Sequence, residues 1–164
     1  MGLAVDAKGF MYVADTGNGR IQKLNPMGLP VFTISSNHDR QLYGPQGVEV
    51  DSKGVCYVAD TFSHCVVEID GQGREITRFG CRGESSGSFD EPQDLVLDQR
   101  GFLYVIEMAN NRLQVFDAKC QCVTCFDGDS IKGLASPTGI AIGPGGEIFV
   151  SDTMNHRVLR MVWQ

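Results

Sequence analysis

Long apolar runs, helical periodicity and a leader-like start are all missing from this chain of 164 residues. No segment approaches the ~20 apolar residues of a membrane-spanning helix, so we expect no membrane span. The first residues show no basic segment followed by an apolar one, so no secretory signal is visible. No stretch of useful length carries the apolar stripe of an amphipathic helix. These absences favour an all-β protein.

An excess of basic residues is also lacking. Lysine and arginine total 14 against 20 aspartates and glutamates, for a net charge of −6. This balance argues against affinity of the whole surface for phosphate backbones. The candidates for a local basic patch are scattered along the chain, which favours solvated surface. They are Arg40, Arg78, Arg82 and Lys132.

Sequence signals of catalysis and metal binding are weak. No Gly-x-Ser-x-Gly elbow is present. The chain has six cysteines. They are Cys56, Cys65, Cys81, Cys120, Cys122 and Cys125. The Cys-x-Cys-x-x-Cys run at 120–125 has no second cluster to complete a zinc site. Cys56 and Cys65 fall on neighbouring strands of one hairpin, within plausible reach of a disulfide. We favour reduced thiols in a cytoplasmic protein, with no cofactor.

What the sequence does contain is a repeat. The phrase Tyr-Val-Ala-Asp and its variants recur at intervals of 45, 47 and 45 residues. The four copies lie at 12–15, 57–60, 104–107 and 149–152. A fixed period of this length marks a repeat architecture, and short Val-, Ile- and Tyr-rich runs between glycines mark strands.

Each repeat unit predicts a four-stranded antiparallel blade, so the expected fold is an all-β propeller of about four blades. The first strands are expected at 2–6, 47–51, 94–98 and 139–143, and the second at the four Tyr-Val-Ala-Asp copies. The third strands are expected at 20–24, 65–69, 112–116 and 157–161, and the fourth at 29–34, 74–79 and 122–126. The single propeller region divides into blades 1–44, 45–91, 92–136 and an incomplete 137–164. Such an open arc, or fragment of a larger propeller, is expected to self-associate through its bare strand edges at 1–6 and 157–162.

The turn between the second and third strands repeats an acid, an asparagine and an arginine. The acid ends one strand and the arginine begins the next, which predicts structural ion pairs across the hairpin. The pairs are Asp15–Arg20, Glu107–Arg112 and Asp152–Arg157. The intervening asparagines are expected to take the left-handed backbone conformation. They are Asn18, Asn110 and Asn155. Unit two has Cys65 in place of the arginine, so its hairpin is expected to lack the pair.

Two motifs carry a family resemblance. Residues 15–21 and 152–158 resemble the D-T-x-N-x-R-[VI] core of NHL repeats, and 45–48, 92–95 and 137–140 resemble the P-x-G-[IV] opening. The resemblance implies a propeller, commonly of six blades. NHL domains are best known as the C-terminal module of tripartite-motif ubiquitin ligases, where they bind proteins or single-stranded RNA. A peptide-amidating lyase that holds zinc with histidines is also NHL-like. His64 and His156 occupy equivalent positions, but a third ligand is lacking at a matching place.

The favoured function is therefore a non-enzymatic module that docks a protein partner, such as a ligase substrate. Single-stranded RNA binding and zinc-dependent lyase activity remain alternatives. Variable loops on a constant scaffold are the expected contact surface. The partner-binding candidates on these loops are Phe62, His64, Arg82, Met108, Asn111, Met154 and His156.

Overall fold

Fifteen short strands form four antiparallel sheets in the computed structural model, which describes residues 2–34, 42–127, 130 and 133–162. Blade one contains β1 Leu3–Val5, β2 Met11–Asp15, β3 Arg20–Leu24 and β4 Pro30–Ile34. Blade two contains β5 Pro45–Val50, β6 Cys56–Asp60, β7 Cys65–Ile69 and β8 Glu75–Phe79. Blade three contains β9 Pro92–Leu97, β10 Leu103–Glu107, β11 Arg112–Phe116 and β12 Cys122–Phe126. Blade four contains β13 Pro137–Ile142, β14 Ile148–Asp152 and β15 Arg157–Met161.

The predicted all-β propeller of antiparallel blades is confirmed, with a three-stranded last blade in the described residues. The third strands begin and end where the sequence predicts. The first strands of blades two to four begin two residues earlier than expected, at Pro45, Pro92 and Pro137. The ladder shifts its register just after each proline, which lets a residue without an amide hydrogen open the strand.

The core lies between blades rather than inside any one of them. Tyr12 and Ala14 of blade one pack in the same cluster as Cys56 and Val58 of blade two. A second cluster joins blades two and three, and a third joins blades three and four. Because each blade buries one face against its neighbour, no blade in the series has a complete core of its own.

Both ends of the described arc expose side chains that are buried elsewhere. Leu3 is 61% exposed, whereas Val48, its equivalent in blade two, is 6% exposed. Val158 in β15 is 68% exposed, whereas its equivalent Ile21 is fully buried. β15 also has no outer partner among the described strands, although β3, β7 and β11 each pair with a fourth strand. The two end surfaces are blade interfaces without a neighbour.

Because the strands of each blade are antiparallel and consecutive, the turns lie on two opposite faces of the blades. The loop face collects the β2–β3 type turns and the links between blades, and its described residues are 15–20, 42–45, 60–65, 80–92, 107–112, 133–137 and 152–157. The hairpin face collects the other turns, at 6–10, 25–29, 51–55, 70–74, 98–102, 117–121 and 143–147. Among the described residues, no helix has the length and hydropathy to cross a membrane.

Candidate functional site

The carboxylate that ends each second strand lies at the centre of a polar network on the loop face. Arg20 donates from Nε to Asp15 at 2.7 Å. Arg157 makes the same bond to Asp152 at 2.6 Å. The Glu107–Arg112 pair is formed too, at 2.6 Å, and both its side chains are buried. These groups hold the hairpin ends together, as their spacing predicts.

In blades two to four the carboxylate also binds the link that leads into its own blade. The amide of Tyr43 donates to Asp60 Oδ1 at 2.7 Å. In blade four the amide of Ala135 donates to Asp152 Oδ1, also at 2.7 Å. In blades one and two a threonine of the turn binds the blade that follows. Thr16 Oγ1 donates to the Pro45 carbonyl and Thr61 Oγ1 to the Pro92 carbonyl, both at 2.7 Å. The turn is therefore a joint between consecutive blades.

Blade two does have an ion pair at this position, but with a different arginine. The third strand offers Cys65 opposite Asp60, as expected from the sequence. Arg78 of β8 reaches across instead and places Nη1 3.4 Å from Asp60 Oδ2. The same nitrogen lies 3.6 Å from the Cys65 sulfur. The positive charge has moved from the third strand to the fourth.

The Asp60 and Asp152 carboxyls differ in the direction of their pKa shifts. Burial raises the pKa of Asp60, and its bonds with Ser63, Tyr43 and Arg78 do not offset that effect. Burial also raises the pKa of Asp152, but hydrogen bonds from Asn155, Ala135 and Arg157 bring it below its ordinary value. A raised carboxyl pKa often marks a catalytic acid. Asp60, however, is completely buried beneath the turn.

The asparagine prediction is wrong in its position. The left-handed residue is the one after the asparagine, and it stands just before the third strand in every blade. These residues are Gly19, His64, Asn111 and His156, with φ between 50° and 59°. The asparagines instead donate to the carboxylate: Asn18 Nδ2 lies 2.9 Å from Asp15 Oδ1. Asn155 makes the same contact with Asp152. The asparagine side chain bonds the carboxylate from within the turn. The left-handed conformation that reverses the chain therefore falls on the next residue.

Two of the predicted contact residues, His64 and Asn111, join blades through this left-handed position. The amide of Glu91 donates to His64 Nδ1 at 3.2 Å. In the next blade the amide of Ser136 donates to Asn111 Oδ1 at 2.6 Å. Both amides belong to the residue that precedes the opening proline of the following blade. The ring nitrogen of His64 and the amide oxygen of Asn111 therefore accept equivalent hydrogen bonds from the following blade.

His64 and Arg82 both lie close to the carboxylate of Asp90. His64 Nδ1 lies 3.0 Å from Asp90 Oδ1, and Arg82 Nε lies 3.5 Å from the same oxygen. Arg82 itself remains mostly exposed. The other arginine singled out from the sequence, Arg78, lies in ion pairs with Asp60 and Glu75. Among the residues that the structure describes, Arg82 therefore has an accessible guanidinium near the turn of blade two. Arg40 and Lys132 lie outside the described residues.

The apolar candidates are spread over three blades of the loop face. Phe62 and Met154 occupy equivalent turn positions in blades two and four, and both are exposed. Met108 is half-buried in blade three, where its amide donates to the Glu91 carbonyl at 3.0 Å. His156 is exposed in blade four.

The sequence interpretation missed Tyr43, which is exposed beside Phe62. The Phe62 amide donates to the Tyr43 carbonyl at 2.9 Å. The Phe62 ring covers Gly44, where an added Cβ would lie 2.4 Å from a ring carbon. The sequence signal that could have identified Tyr43 is an aromatic residue in a variable link, followed by glycine and proline. The turn and the link together present two aromatic side chains on a rigid backbone.

Cys56 and Cys65 are not within disulfide reach. Cys56 pairs with Ile69 and Cys65 with Asp60, at opposite ends of the β6–β7 hairpin. Antiparallel strands bring residues together only when they are in register, so neighbouring strands alone are insufficient. All six thiols are free. Among the described residues, no group of three histidine, cysteine, aspartate or glutamate side chains is arranged to hold a metal ion.

Comparisons with known proteins agree with the blade architecture. The model of the NHL repeat matches residues 134–161. A streptogramin B lyase structure superposes with a TM-score of 0.76 at 13% identity, over 98% of this chain and 50% of the lyase chain. Virginiamycin B lyase from Staphylococcus aureus gives 0.77 at 14% identity, over 98% and 51%. Hydrazine synthase from Kuenenia stuttgartiensis gives 0.71 at 15% identity, over 98% and 49%.

Identities this low show a shared fold and nothing of a shared activity. The chain spans about half the length of these solved structures. The matched segment 134–161 contains all three strands of blade four together with its Asp-Thr-x-Asn-x-Arg turn. The repeat match and the blade architecture together support an NHL-type β-propeller.

Proposed function

We propose that this chain is a non-enzymatic scaffold that docks a protein partner on its loop face. The exposed aromatic pair Tyr43 and Phe62 carries the proposal, because a hydrogen bond from the Phe62 amide to the Tyr43 carbonyl holds the two residues together. Aromatic residues supply large contact area at a low cost in conformational entropy. An exposed pair on a rigid joint is therefore suited to an apolar anchor of a partner.

The polar neighbours of this pair favour a protein over other ligands. His64 belongs to the same turn as Phe62, and Asp90 links it to the accessible guanidinium of Arg82. Exposed aromatics beside an arginine match the composition of binding hot spots. We name Tyr43, Phe62, His64, Arg82 and Asp90 the blade-two patch. Met108, Asn111, Met154 and His156 extend the same face into blades three and four.

Two observations disfavour chemistry on this face. The repeated carboxylates are engaged by arginines, asparagines and link amides, which suits joints better than acid–base groups. His64 Nδ1 accepts a hydrogen bond from the Glu91 amide. A zinc-dependent lyase of the peptide-amidating kind needs three ligands around an open position.

Single-stranded RNA is the alternative ligand. It requires a basic groove with stacking side chains. The loop face offers the aromatics, but its arginines share carboxylates: Arg78 with Asp60 and Glu75, and Arg82 with Asp90. The net charge of −6 also opposes a polyanion. A protein partner is favoured on these grounds. Substrate recruitment for a tripartite-motif ubiquitin ligase in the cytoplasm is the form of docking that the NHL resemblance implies.

The test uses this chain as bait and compares variants substituted on the loop face with a variant substituted on the hairpin face. Phe62→Ser and Tyr43→Ser remove the aromatic pair, and Met27→Ser removes an exposed side chain from the hairpin face as the matched control. Proteins cross-linked to the wild type and to Met27→Ser, but lost from both aromatic variants, are the expected result. Far-ultraviolet circular dichroism confirms that each bait is folded. Equal capture by all baits contradicts the proposal, and capture that disappears on ribonuclease treatment assigns the face to RNA instead.

Enzyme activity is tested separately. One of the similar solved structures is a catalytically inactive virginiamycin B lyase with quinupristin. Quinupristin incubated with this chain is expected to remain intact by mass spectrometry, with and without added zinc. Turnover that is abolished by His156→Ala would overturn the non-enzymatic assignment.

A further inference from the structure

The end surface of blade four, on the side away from blade three, is a blade joint without a neighbour among the described residues. Four residues of this blade define it, and they are Gly139, Thr153, His156 and Val158. Val158 is 68% exposed, although its equivalents in the other three blades are fully buried. Each of those equivalents packs against the blade that follows. The joints between the earlier blades therefore show what can cover this surface.

The turn of blade four carries a hydroxyl donor at the position that contacts the next blade. In blades one and two the turn threonine donates to the carbonyl of the proline that opens the following blade. Thr153 is the equivalent threonine; it is exposed, and its hydroxyl lies 2.7 Å from Thr138 Oγ1 of the same blade. Because each hydroxyl can accept one hydrogen bond while it donates another, Thr153 can accept from Thr138 and donate to an incoming carbonyl.

The same turn carries a hydrogen-bond acceptor. In blades two and three the residue in the left-handed conformation accepts a hydrogen bond from the amide of the residue before the opening proline. His156 occupies this position with φ 50°, and it is exposed. Its ring takes part in no hydrogen bond or ion pair within residues 2–34, 42–127, 130 and 133–162. Blade four thus presents the donor and the acceptor that the earlier joints use.

A glycine near the start of a blade leaves room for the backbone of the following blade. An added Cβ at Gly2 would lie 2.4 Å from the Gln46 carbonyl oxygen. One at Gly47 would lie 3.0 Å from the Gln93 carbonyl oxygen. At Gly139, by contrast, the nearest described atom belongs to a side chain of the same blade, at 3.1 Å. Among the described residues, nothing fills the space beside Gly139 that the next opening segment fills in the earlier joints.

The three opening segments of this chain share a backbone conformation. Each places the residue before its proline at positive φ, 72° at Gly44, 52° at Glu91 and 46° at Ser136. Glycine adopts that conformation with the least strain, so a Gly-Pro opening suits the joint best. An apolar residue follows three positions after each proline, and in blade two this residue, Val48, shares a core cluster with Ile21.

We infer that the end surface of blade four binds an extended segment of a partner protein with the pattern Gly-Pro-x-Gly-apolar. The prolyl carbonyl accepts from Thr153, the amide before the proline donates to His156, and the apolar side chain covers Val158. A second copy of this chain is a poorer source of the segment, because the prolines that open its own first strands are buried. The site does not include the blade-two patch, so it stands independently of the docking proposed there.

Fluorescence anisotropy with a labelled peptide tests the inference. The probe has the sequence of residues 42–50 of this chain, Leu-Tyr-Gly-Pro-Gln-Gly-Val-Glu-Val. The matched control peptide has N-methylglycine in place of the glycine before the proline, and it therefore lacks the amide hydrogen that His156 accepts. The wild type is expected to bind the control peptide about fivefold more weakly than the probe, which corresponds to the loss of one hydrogen bond.

Variants of the chain give a second readout. His156→Gly removes the acceptor, keeps a left-handed turn like that at Gly19, and is expected to bind the two peptides equally. His156→Asn, which has the acceptor of blade three, is expected to keep the preference for the probe. Thr153→Val should weaken probe binding about fivefold. Gly139→Ala should abolish probe binding, because its methyl group fills the space for the incoming backbone.

Met27→Ser, on the hairpin face, is the control variant and is expected to bind the probe like the wild type. Circular dichroism shows whether each variant is folded. Equal binding of the two peptides by the wild type would overturn the inference, as would an unchanged affinity for the probe in His156→Gly. Absence of probe binding would overturn it too, and if Val158→Asp then abolishes self-association, the surface belongs to a second copy of the chain.

Discussion

Arg112 and Glu107 form a buried ion pair whose arginine also clamps the link between blades two and three. The guanidinium Nε lies 2.6 Å from Glu107 Oε1. Its terminal nitrogens donate to three carbonyls of the link, those of Glu84, Ser85 and Ser88. One side chain thus joins the β10–β11 hairpin to the link that precedes its blade.

The first prediction follows from the different burial of the three hairpin pairs. Arg112→Ala leaves a buried carboxylate without its cation and should lower the free energy of unfolding by about 3–5 kcal/mol. Arg20→Ala removes the partner of a solvated carboxylate and should cost much less. Arg157→Ala should fall between them, because Asp152 is buried and Arg157 is partly exposed. Urea denaturation of the three variants gives the order, and equal losses would contradict the role of burial.

The second prediction concerns the arginine exchange in blade two. Alignment of the repeats alone suggests that Cys65→Arg is tolerated, because the other blades carry arginine there. In the structure Arg78 already occupies that space beside Asp60. Cys65→Arg should therefore destabilise the protein through like-charge crowding, and adding Arg78→Thr should restore much of the loss. A double-mutant cycle measures the coupling, and a coupling energy near zero would show that the two sites are independent.

The third prediction concerns the left-handed joint at His64. His64→Asn introduces the residue that blade three uses for the same bond, so stability should be retained. His64→Leu removes the acceptor of the Glu91 amide and places an unfavourable residue at φ 53°, and should cost about 1–2 kcal/mol. Hydrogen exchange at Glu91 should accelerate in the leucine variant only. Equal exchange in both variants would show that the bond contributes nothing.

The fourth prediction concerns Asp94, which stands where the other blades have glycine. Burial raises the pKa of its carboxyl, and hydrogen bonds from the Ile140 and Leu95 amides do not offset that effect. Burial, with the nearby charge of Asp94, also raises the pKa of Glu49. A raised carboxyl pKa means that the folded state holds the proton more tightly than the unfolded state does. Each group therefore destabilises the folded state as pH rises through its folded pKa, and the penalty disappears below the unfolded pKa.

Asp94→Asn removes one of these ionisations. The stability of the variant relative to the wild type should be higher at pH 7 than at pH 4, close to the ordinary aspartate pKa of 3.8. The free energy of unfolding at both pH values is the measurement. A Ser52→Ala variant, altered at an exposed position, controls for effects of mutation in general. If the difference in the free energy of unfolding between Asp94→Asn and the wild type is the same at both pH values, the burial of a charged Asp94 is contradicted.

The fifth prediction concerns the two open blade surfaces. The exposed Leu3 of blade one and Val158 of blade four occupy positions that are buried between other blades. The isolated chain should therefore self-associate, and sedimentation velocity should show a concentration-dependent coefficient. Val158→Asp should shift the distribution towards the monomer, whereas Met27→Asp on the hairpin face should not. A wild-type monomer at every concentration would exclude this association.

The repeat made most of the fold predictable. Strand positions follow from the period and from the local preference of Val, Ile and Tyr for extended backbone, so the third strands were located to the residue. The ion pairs Asp15–Arg20 and Asp152–Arg157 were predictable for the same reason, since partners directly opposite in a hairpin are close in sequence. Glycine at position 19 likewise stands at a reversal that local sequence specifies.

Contacts between blades depended on the tertiary structure. The pairing of Asp60 with Arg78 needs the register of a strand 18 residues away, and the bond from Glu91 to His64 needs two blades in place. The exposed pair Tyr43 and Phe62 likewise arises only where the link into blade two meets the turn of that blade. The sequence by itself determined the blades, because their hydrogen bonds are local. Packing of one blade on another decided which side chains are buried, paired or presented, because those interactions join segments that no short-range pattern connects.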